Sequence, residues 1–166
     1  MSEALASLEN KIIKTKSQVQ QLELLRFKSN ALAKRYPIFS GILDTVYDKS
    51  LQYGFQPELV LSIVKVESGF KPNARSYVGA CGLMQINVPV WRKYLNIDQT
   101  RIYEVDYNID LGLQILKMYY DESNGNMKRA LHLYNNGYLH NNTSYAIKIN
   151  ATAQRLKPAK LHLNLS

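Results

Sequence analysis

Glu67 stands where a carboxyl is out of place. In Glu58-Leu59-Val60-Leu61-Ser62-Ile63-Val64-Lys65-Val66-Glu67, the residues Val60, Ile63, Val64 and Glu67 recur at i, i+3, i+4 and i+7. That spacing predicts one face of a helix, from about Pro57 to Ser68, and sets Glu67 on its apolar stripe. The positions three and four away hold Ile63, Val64, Phe70 and Lys71, and Lys71 lies beyond Gly69. A carboxyl projecting from an apolar wall loses the hydration that stabilises its anion, so its pKa rises. A Glu that keeps its proton near neutral pH can act as a general acid, as cleavage of a glycosidic bond requires. A Glu at a helix end can also simply reach past the stripe to water.

The residues that follow suit a sugar ligand. Ser76 and Gln85 offer neutral hydrogen bonds for hydroxyls and acetamides, and Gly79 and Gly82 let backbone approach closely. Met84 and the tyrosines, Tyr134 among them, present apolar and aromatic faces for pyranose rings, although core packing is an equally ordinary use for each. Cys81 is read as a small buried residue, since no His lies near it in sequence to activate a thiolate. Asp98, Glu104, Asp106 and Asp110 cluster on a polar, loop-like stretch and read as solvated surface acids. One cysteine excludes an internal disulfide and a thiolate zinc site. His132, His140 and His162 show no metal-ligand spacing.

Helices must carry these groups. Pro37 separates residues 1–35 from a body spanning 36–157, and Pro158 opens a short basic tail, 158–166. In the first segment Leu5, Leu8, Ile12, Thr15, Val19 and Leu22 step by three and four, without Gly or Pro, as in a short coiled coil. Residues 5–33 would then serve self-association or docking to a larger assembly; one amphipathic helix folded back on its own domain has the same pattern. In the body, helices are expected over about 39–52, 57–68, 83–95, 108–122, 126–135 and 142–156, with a loop-rich 69–82 and at most a short hairpin.

At 166 residues, 46% hydrophobic and 20% charged, the chain is long enough for one core and too apolar for default disorder. No apolar run is long enough to span a bilayer. The balance of 21 basic against 13 acidic residues, +8, favours polyanions such as nucleic acid, anionic membranes or acidic wall polymers. The opening Met1-Ser2-Glu3-Ala4-Leu5-Ala6 has no basic and apolar stretch of a secretory signal.

From Glu67 the chain reads ESGFKPNARSYVGACGLMQINVPVW. This resembles the lytic transglycosylases with the soluble-transglycosylase (SLT) domain. The likeness is carried by Glu67-Ser68, Phe70, Pro72, Ser76, Gly79-Ala80 and Gly82-Leu83-Met84-Gln85, whose Gln ends the block eighteen residues after the Glu. Asn108-Ile109, Gly112 and Leu116 match a second block, Tyr134-Asn135-Asn136-Gly137 a third, and Tyr145 a later tyrosine, so about 45–150 is covered. Two positions depart: Asn87 stands where the family has a Met lining its cleft, and Leu133 replaces a small residue.

The resemblance implies a mainly α, lysozyme-like fold of the goose-type/SLT kind, to which residues 1–35, outside the resemblance, add an N-terminal helical extension. It implies Glu67 as the catalytic acid and base. Substrate contacts fall at Ser76, Met84, Gln85, Asn87, Asn108, Tyr134, Asn135 and Tyr145, with the Tyr134 hydroxyl placed to orient Glu67. The implied reaction cleaves the MurNAc-GlcNAc β-1,4 bond of peptidoglycan strands, leaves a 1,6-anhydro end and needs neither a metal nor an organic cofactor. No specific nucleic acid is then a partner. Without a signal sequence, the enzyme is expected to reach the wall as part of a phage virion, or through a holin or secretion apparatus. A lysozyme-type hydrolase, with an acid of 98–110 as its base, and a non-catalytic structural protein of a phage tail or secretion apparatus are the competing readings.

Overall fold

The computed structural model describes residues 5–16, 33–34, 40–138 and 143–156. The chain divides into two compact units, and residues 38–157 form the larger. In the other, residues 5–16 are helical (α1). The predicted stripe of α1 faces solvent, with Leu5, Leu8, Ile12 and also Ile13 all more than half exposed. The stripe positions Val19 and Leu22, and the basic tail, lie outside the described residues.

The larger unit consists of α2 (Ser40–Gln52), α3 (Pro57–Ser68), β1 (Ala80–Cys81), β2 (Ile86–Asn87), α4 (Val88–Trp91), α5 (Val105–Glu122), α6 (Met127–Asn136) and α7 (Ser144–Leu156). Helix α3 begins with Pro57, whose missing N–H would have no helical partner there anyway. It ends at Gly69, which adopts φ +61° and returns its N–H to the Lys65 carbonyl. Between these ends Val60, Ile63 and Val64 are fully buried, and α3 packs chiefly on α7 and α2. Helix α5 lies against α2 and α6. Lys49 of α2 reaches across to Asp106 and Asp110 of α5, at 3.3 and 3.0 Å.

The helix expected over 83–95 does not form. That stretch is a turn, strand β2 and the four-residue α4. Gly82 and Gln85 both take positive φ, +77° and +49°, which no helix accepts. Asn87 then caps α4 by accepting from the Val90 N–H, and Pro89 could not sit inside a longer helix without removing a hydrogen bond. The hairpin is antiparallel, with Ala80 opposite Asn87 and Cys81 opposite Ile86.

Asn108 of α5 fastens this hairpin. Its side chain is fully buried and donates to the carbonyls of Cys81 (3.1 Å) and Ile102 (2.7 Å), while its Oδ1 accepts from the Met84 N–H at 2.8 Å. A Cβ on Gly82 would stand 2.1 Å from the Asn108 amide nitrogen, so only glycine fits there. Gly112, one turn further along α5, leaves room for Met84; a Cβ would meet its sulfur at 2.5 Å.

Candidate active site

Glu67 occupies the last turn of α3, half-buried, and lines a cleft of about 600 Å³. One wall is the 76–87 loop and hairpin, with Ser76, Val78, Ala80, Gln85 and Asn87. Val90 and Trp91 of α4, Tyr119 of α5 and the end of α6 from Leu133 to Tyr138 complete it. Burial raises the Glu67 pKa, opposed by a hydrogen bond from the Tyr145 hydroxyl and by the positive charge of Lys148. The apolar stripe therefore does to this carboxyl what its helical position predicts.

The partner that holds Glu67 is Tyr145, not Tyr134. Tyr145 sits on α7, which packs directly on α3, and its hydroxyl donates to Glu67 Oε1. Burial, then the Glu67 charge, hold the Tyr145 phenol far above its ordinary pKa, so it remains a donor. Tyr134 instead donates to the Met84 carbonyl at 2.8 Å, tying α6 to the loop. Its phenol is also raised, by burial and then by the nearby Glu67 and Tyr119.

Of the other residues expected to touch substrate, Ser76, Gln85, Asn87 and Asn135 line the cleft together with Tyr134. Ser76 Oγ accepts the Ala80 N–H at 3.0 Å. Gln85 donates its amide to the carbonyls of Gly82 (2.9 Å) and Ala74 (3.2 Å), so what it offers a ligand is its own carbonyl oxygen. Asn87 Oδ1 caps α4, and Asn135 donates to Asn136 at 2.9 Å.

Met84 and Asn108 are not brought to the cleft. Both are fully buried, Met84 against Gly112 and Asn108 among three backbone groups, so they support the wall rather than meet a ligand. Tyr145 too is nearly buried and meets Glu67 rather than open space. Trp91, Tyr119, Tyr138 and Lys148 were not singled out by sequence reasoning. Lys148 follows Tyr145 by three positions, which on a helix is the same face and was a readable signal. The aromatic residues gave none, because α4 and the ends of α5 and α6 converge only in the fold.

The acids of 98–110 are engaged elsewhere. Asp98 accepts from Thr100, Glu104 pairs with Arg101 at 2.9 Å, and Asp106 and Asp110 hold Lys49. None lines the cleft, whose single carboxyl among the described residues is Glu67.

The family model described as "Transglycosylase SLT domain" matches residues 44–156. A transglycosylase of Enterobacteria phage PRD1 is 36% identical over 94 residues, 57% of this chain and 34% of that protein. Membrane-bound lytic murein transglycosylase C of Actinobacillus pleuropneumoniae is 38% identical over 89 residues, 48% of this chain and 24% of its own. The chain thus spans about a third and about a quarter of these relatives' lengths. Among solved structures, an inactive Glu-to-Gln mutant of lytic transglycosylase Slt from Pseudomonas aeruginosa superposes with a TM-score of 0.51 at 25% identity, covering 69% of this chain and 22% of that one.

Proposed function

This chain belongs to the transglycosylase SLT domain family, and from that premise we propose that it cleaves peptidoglycan strands by lytic transglycosylation. Glu67, whose pKa burial raises, protonates the oxygen joining N-acetylmuramic acid to N-acetylglucosamine. The breaking bond gives the muramyl ring oxocarbenium character, which its own 2-acetamido carbonyl is placed to stabilise. The Glu67 carboxylate then takes the proton of the muramyl C6 hydroxyl, and that oxygen closes onto C1 as a 1,6-anhydro ring. Glu67 ends protonated as it began, and no water is consumed. The Tyr145 hydrogen bond and the Lys148 charge favour the anion formed between the two proton transfers.

The observation that carries this reading is that Glu67 is the single carboxyl among the described residues lining the cleft, Glu122 lying in the adjoining groove on the Tyr138 hydroxyl. A hydrolase of the usual kind needs two, flanking the bond, and the acids at 98–110 are tied to other partners. Mass spectrometry of a digest of purified peptidoglycan tests it. Anhydro-muramyl ends are expected. Reducing ends would make the protein a hydrolase, and no release a binding module. A phage setting is supported by the likeness to the PRD1 transglycosylase; detection of this chain in purified virions tests that.

A further inference from the structure

Past Tyr119 the cleft continues into a groove of about 320 Å³ that shares Trp91, Tyr119 and Tyr138 with it and adds Tyr94 and Glu122. Trp91 meets Tyr94 and Tyr119 edge to face, with centroids 6.1 and 5.6 Å apart, so the rings fix one another. Tyr94 and Tyr138 are nevertheless about three-quarters exposed, at 72% and 73%. Glu122, at the end of α5, accepts the Tyr138 hydroxyl on both carboxylate oxygens, at 2.9 and 2.8 Å. That bond raises the Tyr138 pKa; Arg129 also acts on Tyr138 but does not line the groove. Among the described residues no ion pair neutralises Glu122.

A fixed carboxylate beside exposed aromatic faces is a receptor for an organic ammonium, which gains from the charge and from the ring faces together. Glu122 is an exposed negative charge on a chain of net charge +8. The groove adjoins the cleft that holds Glu67, within reach of a group carried by a strand bound there. We propose that this groove binds the side-chain ammonium of a diamino acid in the peptide carried by the muramyl sugar. The inference rests on the peptidoglycan reading above and adds to it a preference for strands whose peptides keep that amine free.

The test is a binding titration with a soluble disaccharide-peptide bearing a free side-chain amine, and with the same compound N-acetylated at that amine. The unmodified protein is expected to bind the free amine about tenfold more tightly, and Glu122→Gln to bind the two alike. Equal affinities in the unmodified protein, or discrimination that survives Glu122→Gln, overturn the proposal. Release of anhydro ends from peptide-free strands, followed in parallel, reports on the proposed reaction alone and separates its failure from failure of the groove. Should reducing ends be released instead, and Glu122→Gln abolish that release on every substrate, Glu122 is the second carboxylate of a hydrolase and the ammonium assignment falls.

Discussion

At the scale of single residues, the decisive balance is the one at Glu67. Burial favours its neutral form, whereas Tyr145 and Lys148 favour the anion. Removing Tyr145's donor with Tyr145→Phe takes away a restraint that holds the pKa down. The alkaline limb of the pH–rate profile should therefore move to higher pH, while the rate falls roughly ten- to a hundredfold with the lost charge-assisted bond. A profile that keeps its limb would show that the bond does not act on the acid. Glu67→Gln should lower wall degradation by roughly two to four powers of ten, yet not lower stability. A carboxyl whose folded pKa is raised contributes stability that is fully present below the unfolded value, about 4.3, and lost as pH rises through the folded one. Thermal melts should thus show Glu67→Gln gaining on the unmodified protein between pH 4 and pH 8. A gap independent of pH would mean that Glu67 is solvated. The setting of Glu67 was legible because it is written locally, in Val60, Ile63 and Val64. Its hydroxyl partner was not, because Tyr134 and Tyr145 differ only in which of two distant helices meets α3.

At the scale of elements, the wall of the cleft is a hairpin with two residues in each strand, too short to be stable alone. Asn108 and two tight glycine contacts fasten it to α5. Asn108→Ala should cost about 3 kcal/mol in urea unfolding, since three buried backbone groups lose their partner. Asn108→Asp should be at least as damaging at neutral pH, because a carboxylate would face the carbonyls of Cys81 and Ile102 with no hydrogen to donate. Helix α3 followed the sequence to both ends because Pro57 and Gly69 mark them. The segment 83–95 misled because its apolar residues fit a helical period, while Gln85 takes φ +49° without being glycine. That conformation is set by bonds from its amide to Ala74 and Gly82, which no local pattern reveals.

For the whole molecule, the larger unit contains the matched family region and its own core. Residues 38–157 alone should melt within about 3 °C of the full chain, a shift of under about 1 kcal/mol, and keep turnover per molecule. A larger loss on either readout would show that residues 1–37 support the catalytic unit. The net charge of +8 makes a separate expectation. Adsorption to isolated cell-wall sacculi should weaken steeply between about 0.02 and 0.5 M salt, as the screening length shrinks. Adsorption insensitive to salt would assign binding to the cleft rather than to the basic surface. Charge was fully legible in composition, and the division into two compact units falls beside Pro37 and Pro158.

Cys81 gives the cleft wall a clock. It is the chain's one thiol, 7% exposed in β1, with the Tyr103 hydroxyl 3.4 Å from its sulfur. It lines a cavity of about 260 Å³, together with Arg75, Val88, Arg92 and Tyr103, that shares no lining residue with the cleft holding Glu67. The rate at which a thiol-specific dye labels it in native buffer therefore follows the mobility of the hairpin from its side away from the cleft, without denaturant. A saturating glycan that bridges Glu67 and the hairpin should slow that clock in proportion to its occupancy. Activity followed alongside the labelling shows whether an adduct on that side of the hairpin is felt in the cleft.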